Sequence, residues 1–253
     1  MSYHIVIPSR MASQRLPGKP LALIGSKTLI ELVYRRAAAS NAESVVIATD
    51  SQEILDTAEA FGATAVMTSD THTSGSDRIA ETAGILGWDD DVLIVNLQGD
   101  EPLMPPQCLD QVAHLLEQDP AAHVASLYWP FEDQAHATDP NLVKVVTARD
   151  NGALYFSRSE IPFARDPASV HSSSHGRYCW KRHIGLYAYR AGALRAFAAM
   201  APSPLEATER LEQLRFLETG HRIVMAEACE FIPAGVDTPE DLERARKMFE
   251  VGG

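Results

Sequence analysis

The stretch YHIVIPSRMASQRLPGKPLAL, residues 3–23, decides the fold. Its opening, Tyr3 to Pro8, is a short run rich in β-branched residues and of strand length, and a basic loop follows it at once. That loop holds Arg10, Arg15 and Lys19 and no acid. No Asp or Glu occurs before Glu31, although the chain carries a formal net charge of -12. In an open parallel sheet, ligands bind beyond the carboxyl ends of the strands. A basic loop after the first strand therefore borders that crevice, where its cations would neutralise a polyphosphate. Backbone N–H groups near Pro17 and Gly18 would add hydrogen bonds. The plainer alternative is a solvated basic loop around a Pro-Gly turn.

Two familiar phosphate motifs are excluded. A Walker loop needs Gly five residues before its Gly-Lys and Ser or Thr after it; here those positions are Ser13 and Pro20. A dinucleotide fingerprint needs G-x-G-x-x-G after the strand, and SRMASQ, residues 9–14, has no glycine. That disfavours an NAD-dependent oxidoreductase.

Working outward, apolar runs alternate with helical patterns. SVVIAT (44–49), ATAVMT (63–68), DVLIVNLQ (91–98) and HVASLYW (123–129) read as strands. Between them lie helices marked by Leu29, Leu32 and Val33, by SQEILDTAEAFG ending at Gly62, by Ile79, Ala83 and Leu86, and by Leu109, Val112, Ala113 and Leu116. This alternation predicts an α/β protein with a mainly parallel sheet flanked by helices. LVKVVTA (142–148), ALYFSR (153–158) and HIGLYAYR (183–190) are strands with less helix between them, which predicts a smaller, partly antiparallel subregion. The polar stretch from Ala164 to Lys181 reads as a loop. ATERLEQLRFLETG (207–220) reads as one helix with a Gly stop, RIVMAEA (222–228) as a strand and TPEDLERARKMFE (238–250) as a last helix.

Bulk properties narrow the partners. A pI near 5.2 argues against nucleic acid and anionic membrane, since the far field repels polyanions. Cys108, Cys179 and Cys229 are odd in number and lack C-x-x-C spacing, so free thiols are expected rather than a disulfide framework or zinc site. The N-terminus has no charged region followed by a long apolar run, and no window reaches the ~20 apolar residues of a membrane span. A cytoplasmic protein is expected.

Three short blocks carry chemistry. In VLIVNLQGDEP (92–102), Asp100 lies just past a buried strand and suits Mg2+, which takes one or two carboxylates and fills its shell with water and phosphate. The neighbouring Glu101 points elsewhere, and a turn-forming role for Asp100 is the alternative. In GVDTPEDL (235–242), Thr238 can cap the helix with Pro239 at its first position and Asp241 completing a capping box, which leaves Asp237 free. In HTSGSDR (72–78), Ser74, Gly75 and Ser76 allow close approach of a planar base, and Arg78 can donate to a carbonyl oxygen. Helix-capping serines are the alternative there.

PSRMASQRLPGKPL (8–21) resembles the nucleotide-binding signature of the 3-deoxy-manno-octulosonate cytidylyltransferases, the CMP-Kdo synthetases. MTSDTHTSGSDRIAE, VNLQGDEPLMP, ALYFSRSEIPF, RHIGLYAYR, PSPLEATERLEQLRFLETG and GVDTPEDLERAR resemble the family's other blocks, in order, over nearly the whole chain. Ser9 stands where Ala is usual and Gln14 where Thr is common, and the loop from Ser169 to Tyr178 matches no family pattern.

The resemblance implies a nucleotidyltransferase-like, Rossmann-type fold in one domain. Residues about 1–130 and 228–253 would bind nucleotide, and residues about 131–227 would serve sugar binding and dimerisation. The implied reaction passes CMP from CTP to the anomeric hydroxyl of 3-deoxy-D-manno-octulosonate, for lipopolysaccharide synthesis, in a homodimer. Asp100 and Asp237 would together hold Mg2+, with a second Mg2+ arriving on the triphosphate. Arg15 and Lys19 would stabilise the departing pyrophosphate and Arg10 would orient reactants. Ser74, Gly75 and Arg78 would recognise cytosine. On the sugar side the family positions are Arg10, Gln98, Arg158, His183, Tyr187, Glu212 and Gln213. Read as residues alone, Arg158 is equally a surface ion pair, His183 a structural histidine, Tyr187 a packing residue, and Glu212 and Gln213 a solvated helix face. The same chemistry on the 8-amino analogue of the sugar, transfer from another nucleotide or to a neutral sugar 1-phosphate, and a non-catalytic nucleotide-binding regulatory protein remain open alternatives.

Overall fold

The run after Tyr3 becomes the central strand β1 (His4–Ser9) of the computed structural model, which describes residues 2–13, 15–72, 74–130, 133–165 and 180–251. β1 leads through the basic loop, a 3-10 turn (Lys19–Leu21) and a hairpin of β2 (Leu23–Ile24) and β3 (Lys27–Thr28) into α1 (Leu29–Ala38). The alternation continues with β4 (Ser44–Thr49), α2 (Gln52–Ala60), β5 (Thr64–Met67), α3 (Gly75–Ile85), β6 (Leu93–Asn96), α4 (Pro106–Gln118) and β7 (Val124–Pro130). Then come α5 (Gln134–Thr138), β8 (Lys144–Thr147), β9 (Ala153–Ser157), β10 (Lys181–Arg190), α6 (Ala191–Ala198), α7 (Pro204–Glu209), α8 (Gln213–Glu218), β11 (Ile223–Glu227) and α9 (Pro239–Val251).

Among the described residues, nine of the strands form one sheet with the order β11-β7-β10-β6-β1-β4-β5, and β8 and β9 extend from β10. β1 pairs in parallel with β4 and β6, β4 with β5, and β11 with β7. Side chains alternate between the two faces. Ile5 and Ile7 enter a core beneath α1, α2, α4 and α9, while Val6 enters a second core beneath α3, α6 and α8. Both faces are covered, which is why these strands read as continuous apolar runs.

The antiparallel part is placed differently from the sequence expectation. β10 is not in a side region; it lies inside the main sheet, antiparallel to β6 on one side and β7 on the other. It can sit there because it is apolar on both faces: Leu186 and Ala188 join one core, Tyr187 and Tyr189 the other. Only β8 and β9 form the antiparallel excursion. The β10–β7 register shifts between Ile184 and Tyr187, around Gly185, a bulge of the kind that re-aims the side chains beyond it.

The single helix expected over 207–220 is broken. Arg210 takes a left-handed backbone, with φ 54°, between α7 and α8. A capping box of Ser203 and Glu206 starts α7, and the buried Arg215 pairs with the same Glu206, so the second helix must turn back toward the first. The predicted loop lies mostly outside the described residues, as do Gln14 and Cys179. No described helix is long and apolar enough to cross a membrane.

Candidate active site

The chain leaves β1 toward β4 on one side and returns to β6 on the other, so the sheet changes winding direction between β1 and β6. Their carboxyl ends open a crevice there. They also approach closely: a Cβ on Gly99 would lie 3.0 Å from the Pro8 carbonyl oxygen. Glycine is what lets the Asp100 loop sit against the end of β1.

A cavity of about 720 Å³ occupies this crevice. The basic loop contributes Arg10, Arg15 and Lys19; the loop entering α3 contributes Ser74, Gly75 and Arg78. Gln98 and Asp100 come from the end of β6, Glu212 from the start of α8, and Asp237 from the segment before α9.

Lys19 is set by local backbone chemistry. Gly18 adopts φ 66°, a left-handed conformation that glycine takes without penalty, and Pro20 starts the 3-10 turn. The turn aims the Lys19 ammonium at two acids, 2.6 Å from Asp100 Oδ2 and 3.0 Å from Asp237 Oδ1. Burial works against the ammonium, but the two carboxylates outweigh it and hold its pKa above the ordinary lysine value. Burial raises the pKa of Asp100, and Lys19 offsets part of that rise. Arg15, largely solvent-exposed, reaches Asp237 Oδ2 at 3.0 Å. Asp237 is free to do this because the helix is capped without it. Asp241 N–H donates to Thr238 Oγ1, and the Asp241 carboxylate accepts from the N–H groups of Thr238 and Asp237. Glu101 is not part of the cavity lining; it lies beside Gly235, and burial followed by Asp100 pushes its carboxyl up to about 8.

Other residues have local duties. Ser74 caps α3 by accepting from Asp77 N–H. Ser76 donates to Glu212 Oε2 at 2.9 Å, tying α3 to the start of α8. Gln98 donates to Asn96 Oδ1 at 3.3 Å. Arg78 lines the cavity floor, but its guanidinium is already engaged: it pairs with Asp50 at 2.6 Å and donates to Thr68 and the Ser69 carbonyl.

Four sequence-predicted positions are not brought to this cavity. Arg158 donates to the carbonyl oxygens of Glu209 and Pro140 and holds the β9 end onto α7. His183 sits in an aromatic cluster with Phe156 and Tyr187, within 3.2 Å of Ser126 Oγ, and burial lowers its pKa to about 3. Tyr187 lies between His183 and Tyr189 in the core, tilted against the first ring and stacked on the second. Gln213 is buried in α8, one residue beyond the cavity-lining Glu212, and its Nε2 has no partner.

Sequence reasoning gave no site role to several lining residues, His72 and Ser9 among them. His72, paired with Glu81, stands at the head of the HTSGSDR block, where its polar neighbours were the available signal. Ser9 is buried at the end of β1 and its Oγ has no partner.

Cations on one lip of a parallel-sheet switch point face two carboxylates that converge on one spot, an arrangement suited to a phosphate-bearing ligand and a hard divalent cation. A family model described as cytidylyltransferase matches residues 4–223. The 3-deoxy-manno-octulosonate cytidylyltransferase of Thioalkalivibrio sulfidiphilus is 53% identical over 98% of this chain and 99% of its own length, and that of Pseudomonas fluorescens is 52% identical over 98% of each. A solved CMP:2-keto-3-deoxy-manno-octonic acid synthetase complexed with CTP superposes with a TM-score of 0.90 at 38% identity, covering 100% of this chain and 99% of that one. The chain belongs to the 3-deoxy-manno-octulosonate cytidylyltransferase family.

Proposed function

We propose that this chain passes CMP from CTP to the anomeric hydroxyl of 3-deoxy-manno-octulosonate, releasing pyrophosphate, with Mg2+ held by Asp100 and Asp237. The observation that carries the reading is the meeting of both carboxylates on a single cation, the Lys19 ammonium. Two acids within reach of one cation suit magnesium, which completes its shell from water and substrate phosphate. When bound, the ion would supply Lewis-acid activation of the attacking hydroxyl and of the α-phosphate.

The protein's own groups do the rest. Lys19 and Arg15 exchange carboxylate partners for phosphate oxygens and stabilise charge growing on the leaving pyrophosphate. An acid in place of either would repel each nearby phosphate charge by about 1 kcal/mol or more. Arg10 and Gln98 orient the reactants at the β1 and β6 ends. The small residues Ser74 and Gly75 leave room for a flat base beside Pro8, which lies 3.4 Å from where a Gly75 Cβ would be. Residues about 131–227 are read as the sugar-binding and dimerising part of a cytoplasmic homodimer. Arg158, His183, Tyr187 and Gln213, which do not line the cavity, are read as positioning residues for the sugar side that act through packing.

The test is Asp237→Asn in a coupled pyrophosphate assay with CTP, Mg2+ and the sugar acid. Turnover should fall by orders of magnitude in a folded protein, because metal-based charge stabilisation contributes several kcal/mol. Near-normal turnover removes Asp237 from the metal site. Running the 8-amino sugar acid alongside assigns the acceptor.

A further inference from the structure

Cys108 and Cys229 are separated by 121 positions in sequence, yet their sulfur atoms lie 3.7 Å apart. Cys108 is buried in the first turn of α4, and Cys229 is exposed on the segment joining β11 to α9. Neither takes part in the cytidylyl transfer. Their meeting is held by a two-point clamp. Gln111, one turn along α4, donates from Nε2 to the Glu227 carbonyl at 2.7 Å and accepts from the Cys229 N–H at 2.9 Å. The Cys108 thiol also lies 3.8 Å from the Glu230 carbonyl. The same segment continues to Val236, whose N–H donates to the Asp100 carbonyl, and then to Asp237.

We propose that Cys108 and Cys229 form a peroxide-oxidisable dithiol whose disulfide staples α4 to the root of the segment carrying Asp237. The sulfurs need close only from 3.7 Å to the ~2.05 Å of a disulfide, a small movement for an exposed side chain on a loop. The two thiols have different roles. Cys229 meets solvent and reacts first; burial pushes the Cys108 thiol up to about 12, so it remains protonated until a partner arrives. In the first step, Cys229 sulfur attacks hydrogen peroxide: an S–O bond forms, the O–O bond breaks, and one water leaves. In the second, Cys108 sulfur attacks the Cys229 sulfenic acid: the S–S bond forms, the S–O bond breaks, and hydroxide departs with the Cys108 proton as a second water. Two thiols lose two electrons and the peroxide is reduced to two waters. A small-molecule thiol reverses the bond by exchange.

The experiment treats the full chain with a slight excess of hydrogen peroxide, blocks remaining thiols, and maps a non-reduced digest by mass spectrometry. The expected product has lost about 2 Da and yields one linked peptide joining Cys108 to Cys229, which dithiothreitol releases. Its melting temperature should rise by about 5 °C or more, because the bond closes a long loop. Cys229→Ser, at an exposed position, should fold normally and lose both effects, and Cys179→Ser should keep both. Cys108→Ala should leave Cys229 to over-oxidise to the sulfinic acid. The proposal is overturned if wild-type Cys229 itself ends as the sulfinic acid, or if it links to Cys179 instead.

Discussion

Val236 donates its backbone N–H to the carbonyl of Asp100 at 2.8 Å. This one bond joins two stretches far apart in the chain and delivers Asp237 to the acid it must face. The contact is tight. A Cβ on the preceding Gly235 would lie 3.0 Å from the same carbonyl oxygen and 3.3 Å from the Glu101 carboxyl. Gly235→Ala should therefore push the segment off the Asp100 loop. Turnover is expected to fall about tenfold or more, since small misplacements of reacting groups are costly. Affinity for the nucleotide, which the proposed function assigns mainly to the basic loop, should change less. Steady-state kinetics separate the two, and an unchanged kcat would show that the close approach is not needed.

That bond also marks the limit of what the sequence discloses. The strand–helix alternation was legible because apolar periodicity is local, and so was the capping box that frees Asp237. The basic loop was legible because charge exclusion over 30 residues is visible in a string. The pairing of Asp100 with Asp237 was not, because it depends on Gly99 and Gly235 letting backbones approach, and close approach leaves no trace in spacing. Arg78 shows the same limit. Its position beside the cavity follows from the loop, but its buried pairing with Asp50 depends on β4 lying next to β5. The insertion of β10 between β6 and β7 was hidden because an antiparallel strand with both faces buried has the same apolar pattern as a parallel one.

Lys19 is the cation that Asp100 and Asp237 share. Lys19→Met leaves Asp100 and Asp237 facing each other without a counter-charge. All three side chains are partly exposed, so the cost is set at about 1–3 kcal/mol rather than the larger figure for a fully buried pair. The melting temperature should drop by several degrees in metal-free buffer. Millimolar Mg2+ should recover most of that loss in the variant and stabilise wild type far less. A drop that Mg2+ leaves untouched would mean the carboxylates do not accept the ion.

His183 ties stability to pH. Burial, with a smaller contribution from Arg182, lowers its pKa from 6.5 to about 3. The unfolded chain therefore binds a proton that the folded chain refuses between those values. The stabilisation is fully present above pH 6.5 and is lost as pH falls toward 3. The slope contributed is about 1.4 kcal/mol per pH unit within that window. Urea unfolding at pH 7, 5 and 4 should show wild type weakening steadily. His183→Gln, which can keep the contact with Ser126, should be less stable at pH 7 and should weaken less on acidification. Parallel pH profiles would show that His183 is not buried in its neutral form.

Ser9 is buried at the end of β1, and its hydroxyl is left without a partner. A buried hydroxyl with no hydrogen bond costs about 1–3 kcal/mol, so the free protein gains nothing from it. It lines the same cavity as Lys19 and Arg10, where a phosphate oxygen of the nucleotide would satisfy it. Ser9→Ala should then leave the ligand-free protein as stable or slightly more so, and should raise KM for CTP by about tenfold or more, the worth of one hydrogen bond to a charged acceptor. Because the bond would form in the ground state and persist through transfer, kcat should stay within about twofold. A rise in KM for the sugar acid with none for CTP would move the hydroxyl to the acceptor side, and no change in either would show that it serves no substrate.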